Sequence, residues 1–212
     1  MTLTTTRRLV RGGDREGRIF TASFHVAAID ADTGPGYTEL QGRACPYESW
    51  TTRWFFRESF APGLFDKSIK EAARALPLLL FHDAAQWPIG HAVAWESRPD
   101  GLWGTWRLDS STEAQRAARM AADGHLPYLS VGYDPVLSEW ELTPKDEWNL
   151  DDATTLDRCT RIEARLVETS QVSTPAFAEA EVTLVRSGGG VRPGRPAAPK
   201  LAQWQTWRRS LG

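Results

Sequence analysis

Three polar residues sit where the surrounding pattern calls for apolar ones. His82 closes the run LPLLLFHD (76–83). Read as an alternating strand, that run puts Leu76, Leu78, Leu80 and His82 on one face, with the imidazole at the rim. Such a histidine is either a hydrogen-bonded structural residue or a general base whose tautomer is set by its neighbours. Ser130 lies inside the short apolar strand YLSVGY (128–133). Serine is a poor strand former, and Gly132 two residues on permits close approach of another group. It is either a small filler or a nucleophile, and a nucleophile needs a base within hydrogen-bond reach.

Glu168 is the third. In RIEARLVETSQVS (161–173), Ile162, Ala164, Leu166, Glu168, Ser170 and Val172 share one strand face. A carboxylate in such a stripe is costly to bury alone. Its partner is either an arginine, with Arg161 and Arg165 nearby, or a histidine. A histidine partner would complete a serine–histidine–glutamate relay, in which the acid holds the imidazole, the imidazole takes the serine proton and the serine attacks a carbonyl. Asp83 is the alternative acid, although adjacency to His82 on a strand would point it to the opposite face. A metal site built from His82, Asp83 and His91 matches no familiar zinc spacing, and two cysteines, Cys45 and Cys159, exclude a cysteine-based zinc centre and a disulfide framework. The sequence has no nucleophile-elbow motif, no P-loop and no dinucleotide fingerprint, so no cofactor is expected.

The elements that must position these residues read mainly as strands. Candidate strands cover 18–29, 37–45, 76–81, 88–96, 102–108, 128–133, 136–142, 161–172 and 181–185. A Pro-Asp-Gly turn at 99–101 joins the fourth and fifth. Helices are expected at 64–75 and at 113–122, the second capped by Ser110, Ser111 and Thr112 and stopped at Gly124. Residues 57–63 read as a loop. Residues 139–157 carry seven acids and one lysine and read as a solvated acidic loop. Many strands with two or three inserted helices give an α+β fold, a mostly antiparallel β-barrel or curled sheet.

The chain of 212 residues divides into an N-terminal arm (1–17), one domain (18–185), a Gly/Pro-rich linker (186–199) and a short amphipathic segment (200–212) with Leu201, Trp204, Trp207 and Leu211 on one stripe. The net charge of −2 hides a split. No acid follows Glu181, whereas six basic residues do, leaving 1–181 with 19 basic and 27 acidic residues, a net −8. An acidic body argues against nucleic-acid binding; only the basic tail has the sign for weak contact with nucleic acid or an acidic partner, or it is simply solvated. No apolar run is long enough to span a bilayer, and the N-terminal stretch has no secretory apolar core, so a reducing interior and no membrane are expected.

Four stretches in series carry a family likeness: ESFAPGLFDKSI (58–69), LPLLLFHD with WPIGHAVAWE (76–96), DGLWGTWRLDSSTEAQRAARMAADGHLPYLSVGYDP (100–135) and ARLVETSQVSTPAFAEAEV (164–182). In this order and spacing they resemble the caudoviral prohead (capsid maturation) serine proteases, over about 18–185. The resemblance implies a barrel related to herpesvirus assemblin, a serine nucleophile at Ser130 and a histidine base at His82. Glu168 is the position that fits the third role, with Asp83 behind it. One departure is Phe81, where the family often has Asn or another polar residue. The resemblance further implies an endopeptidase acting in the host cytoplasm inside the assembling prohead, or in the bacterial cytoplasm for a prophage. Its expected substrates are the major capsid protein, a scaffolding segment and its own linker at 187–199. Dimerisation is expected by analogy with the herpesvirus barrels. A non-catalytic assembly protein that kept the fold is the alternative.

Overall fold

Two long strands form the spine of the molecule, and the other elements are arranged by what they pair with along it. The computed structural model describes residues 6–11, 19–25, 37–53, 55–174, 184–187 and 190–193. In chain order the elements are β1 (Thr6–Arg11), β2 (Ile19–His25), β3 (Tyr37–Pro46), β4 (Thr51–Arg53), β5 (Phe56–Phe60), α1 (Asp66–Glu71), β6 (Pro77–Leu80), β7 (Gly90–Arg98), β8 (Gly101–Leu108), α2 (Thr112–Ala122), β9 (Tyr128–Leu142), β10 (Asp157–Val172), β11 (Leu184–Ser187) and β12 (Gly190–Pro193).

The order across the sheet is β1-β9-β10-β6-β7-β8-β3-β11-β12, with β2 also on β9, and β5 on β10 and β4. The fold is α+β with a mostly antiparallel sheet, as expected, but it is not a closed barrel. Among the described residues the terminal strands of the order do not pair, so the sheet is curled and open, although β2 comes round to lie against β3. Nor is the pairing wholly antiparallel, because β5 and β6 both run parallel to β10.

Several boundaries move for physical reasons. The segment 57–63 is not simply a loop: Phe56, Glu58, Ser59 and Phe60 are buried in β5, whose register on β10 runs from Phe56↔Asp157 to Phe60↔Arg161. The chain then leaves β10, forms α1, and rejoins it at β6 with Leu78↔Thr169. This detour explains why α1 stops at Glu71 and not near residue 75. Continued helix advances ~1.5 Å per residue, whereas extended chain covers ~3.3 Å, and residues 72–76 must reach the far end of the gap. Ala72 is accordingly extended.

The expected strands at 128–133 and 136–142 are one strand, β9, and the acidic segment is only partly loop. Glu139 and Glu141 belong to β9, Asp157 opens β10, and short 3-10 turns at Lys145–Glu147 and Ala153–Thr155 lie between. The acids are partly neutralised: Glu141 meets Arg7 at 3.1 Å and Arg158 at 3.1 Å. Thus part of the expected N-terminal arm is a sheet strand, β1, on the outer edge of β9. The β11–β12 hairpin likewise carries regular structure beyond Val185, into the stretch read as a linker. Residues 194–199 of that linker and the amphipathic segment 200–212 lie outside the described residues.

Helix α2 follows its sequence signals closely. The Ser111 hydroxyl accepts from the Ala114 N–H at 3.2 Å, and Gly124, at φ +75°, ends it. Its buried face, Ala114, Ala117, Ala118 and Ala121, packs into a core containing Leu40, Phe60, Phe65, Leu78, Trp106, Leu129, Val131, Tyr133 and Leu166. Core residues thus flank Ser130 on both sides in β9, and this anchors the strand that carries it. Among the described residues no helix is long and apolar enough to cross a membrane.

Candidate active site

The register of β9 on β10 sets the floor of the site. Ser130 faces Ser170 and Gly132 faces Glu168 across the ladder. Directly opposed residues project from the same side of a sheet, so Ser130, Ser170 and Glu168 share one face. A Cβ on Gly132 would lie 2.2 Å from Glu168 Oε1. The group that this glycine lets approach is therefore the carboxylate itself, folded over the neighbouring strand.

His82 completes the arrangement from a third direction. Its Nδ1 lies 2.7 Å from Glu168 Oε1, and its Nε2 lies 2.6 Å from Ser130 Oγ. A carboxylate only accepts hydrogen bonds, so Nδ1 carries the proton and Nε2 is left to accept from the serine hydroxyl. The second carboxylate oxygen, Oε2, accepts from Ser170 Oγ at 2.7 Å, and Ser170 Oγ in turn accepts from the His82 main-chain N–H at 3.1 Å. Ser130 and Glu168 are each 5% exposed, and Ser170 is fully buried. The low-dielectric setting strengthens each of these bonds.

The route to His82 differs from the sequence expectation. Strand β6 ends at Leu80, so the imidazole does not continue a leucine stripe; Leu79, on the opposite alternation, is buried as well. Phe81 and His82 instead form a left-handed turn at φ +54° and +60°. Two consecutive non-glycine residues in that region are strained. The turn is held by Phe81 N–H to Gln171 O at 3.1 Å, the Ser170 bond to His82 N–H, and Asp83 N–H to Leu80 O at 3.0 Å. It throws Phe81 outward, 56% exposed, and swings His82 over the sheet.

The other candidate partners go elsewhere. Asp83 is exposed and accepts from the Ala85 N–H at 3.0 Å, capping its own turn. Arg161 bonds Glu58 at 2.7 Å, and Arg165 pairs with Asp134. His91 is an exposed residue of β7. Among the described residues no group of three or more His, Cys, Asp or Glu is placed to hold a metal ion.

Sequence reasoning did not single out Ser170, although it shares the Glu168 alternation, or Gln171. The Gln171 amide donates to Ala117 O and Leu126 O, each at 2.9 Å, and so ties the end of β10 to α2 and to the segment entering β9. It also missed a second buried polar cluster. Glu58 Oε1 accepts from Arg161 Nε at 2.7 Å and from Tyr133 OH at 2.8 Å, Glu58 Oε2 meets Arg53 at 3.3 Å, and Arg161 donates to Ser138 Oγ at 2.9 Å. Glu58 and Arg161 are both fully buried.

Comparison with known proteins adds to this geometry. The profile of the caudovirus prohead serine proteases matches residues 24–189. Among solved structures the chain is similar to the bacteriophage T4 capsid assembly protease gp21, with a TM-score of 0.43 and 11% identity, over 80% of this chain and 99% of that one. No curated protein sequence matches. With the family profile spanning most of its length, the chain belongs to the caudovirus prohead serine protease family.

Proposed function

We propose that this protein is an endopeptidase that cleaves the major capsid protein, a scaffolding segment, or both, during prohead maturation, with Ser130 as nucleophile, His82 as base and Glu168 as the orienting carboxylate. The observation that carries the assignment is the double contact of one imidazole, 2.6 Å to Ser130 Oγ and 2.7 Å to Glu168 Oε1. Ser130 Oγ attacks the scissile carbonyl carbon while its proton passes to His82 Nε2. Glu168 stabilises the imidazolium that results and keeps the ring from turning. Collapse of the tetrahedral intermediate breaks the C–N bond, and Nε2–H protonates the leaving amine. Water then attacks the acyl-enzyme through the same base, releasing the acid product and restoring the serine.

In this reading the enzyme acts in the host cytoplasm inside the assembling prohead and its own 187–199 stretch is a further substrate; the family match over residues 24–189 supports it. Residues 200–212, with Trp204 and Trp207, are proposed as the segment that recruits it to the capsid. The test is fluorophosphonate labelling of the purified chain together with co-expression of the capsid protein from the same phage. Label on Ser130, with capsid cleavage lost in Ser130→Ala, is the expected result. Undiminished cleavage by Ser130→Ala overturns the assignment, and a chain that neither labels nor cleaves favours a non-catalytic assembly role.

A further inference from the structure

We infer that Ser170 is a positioning residue of the reaction, a single hydroxyl that fixes both the base and the orienting acid of the proposed relay. The inference rests on that relay and adds a fourth member that acts through the other two.

A serine hydroxyl has one proton to donate and two lone pairs to accept with. Ser170 donates to Glu168 Oε2 at 2.7 Å and accepts from the His82 main-chain N–H at 3.1 Å. The first bond stops the carboxylate from rotating about its terminal torsion, so Oε1 stays on Nδ1. The second holds the backbone of the residue whose ring that carboxylate orients. Together with the Nδ1–Oε1 bond, the two close a ring through His82 N, Ser170 Oγ, Glu168 Oε2 and Oε1, and His82 Nδ1.

Such a clamp has a specific need to meet. His82 and Phe81 sit at positive φ, a backbone state that persists only where surrounding structure over-determines it. The Phe81 N–H is held by the Gln171 carbonyl, a main-chain bond that any residue at 171 would supply. The His82 N–H is held by a side chain, so its restraint depends on residue identity. Ser170 is fully buried, beyond easy replacement by water. It also faces Ser130 across the ladder, so one strand position sets the nucleophile's neighbour, the base's backbone and the acid's second oxygen. Positional error of about 1 Å at a reacting group costs on the order of a hundredfold in rate, and a lost clamp of this kind acts through that route.

The experiment uses the full chain and three variants, Ser170→Ala, Ser170→Thr and Ser130→Ala. It reads the rate of fluorophosphonate labelling and the low-field proton resonance of the His82 Nδ1–H. Ser170→Ala is expected to fold, to label roughly tenfold to a hundredfold more slowly, and to lose or broaden that resonance through exchange with solvent. Ser170→Thr, which keeps the hydroxyl, is expected to restore most of the rate and the resonance. Wild-type labelling with an unchanged resonance in Ser170→Ala overturns the inference. So do equal defects in the Ala and Thr variants, which would make packing the cause, and a Ser170→Ala chain that cannot fold, which would make Ser170 a folding residue. Ser130→Ala separates this from failure of the relay: label retained there removes Ser130 as nucleophile, and the resonance still reports on Ser170.

Discussion

At one end of the β9–β10 ladder Glu168 meets an imidazole and a hydroxyl, and at the other Glu58 meets two guanidinium groups and a phenol. Both carboxylates are buried, both are fully engaged, and both bind groups brought together from several strands. Their partners differ in what they can release. Arginine stays protonated at any accessible pH, so the Glu58 cluster is a fixed set of charges that locks β4, β5, β9 and β10 in register. An imidazole can exchange a proton that a guanidinium cannot, and that is the difference the proposed relay of Ser130, His82 and Glu168 uses. Burial of a carboxylate is therefore no guide to its role; the partner decides it.

The largest effect that tests this contrast is Glu168→Gln. Turnover or labelling should fall by about 10² to 10⁴, while urea denaturation shows a stability change of ~1 kcal/mol or less. An unchanged rate would remove Glu168 from the orienting role. Glu58→Ala should do the reverse. Leaving buried Arg161 without its carboxylate should cost about 3–5 kcal/mol, read as a lowered urea midpoint, while the folded fraction labels at the wild-type rate. A loss below ~1 kcal/mol would break the contrast, because the cluster would then not be holding the strands.

Two smaller changes probe the end of the ladder that holds Ser130, His82 and Glu168. Gly132→Ala pushes a methyl group into Glu168 Oε1. The overpacking should cost about 1–3 kcal/mol, and the displaced carboxylate should slow labelling well beyond what a matched loss of stability elsewhere produces. Phe81→Asn addresses the strain in the His82 turn. It should stabilise the protein by up to ~1 kcal/mol in urea denaturation and leave the rate close to wild type; a lower midpoint would mean that the exposed Phe81 ring makes a contact the fold requires.

Cys45 offers a control on the core that both ends share. Its thiol is fully buried, and burial, with the negative charge of Glu58 adding to it, holds its pKa well above the ordinary value. Iodoacetamide should leave it unmodified in the folded protein and react only when the sheet opens. Fast modification under native conditions would show that the core around β3 is looser than its packing implies.

Legibility in the sequence followed how local the signal was. Ser130, His82 and Glu168 stood out because each is polar amid apolar neighbours, a property of a few adjacent residues. Helix α2 was legible for the same reason, with its cap, alanine face and stopping glycine all within one stretch. For His82 alternation predicts a strand position, whereas the chain uses a left-handed turn. Arg161 illustrates the opposite case. It is near Glu168 in sequence, yet its charge goes to Glu58, 103 residues away, because β5 pairs parallel to β10 and brings that carboxylate alongside.

The amino-acid sequence by itself determined that the chain would form a strand-rich α+β domain, and it marked the alcohol, the imidazole and the carboxylate as out of place on their faces. These follow from periodicity and from the cost of burying unpaired polar groups, which act over a handful of residues. Only the tertiary structure decided that the sheet stays open, that the imidazole reaches the sheet from a strained turn, and that Ser170 joins the group while Arg161 and Arg165 turn away. Those outcomes depend on strand register and on parallel pairing between distant segments, where a shift of one residue reverses every side chain's face and no local pattern records the choice.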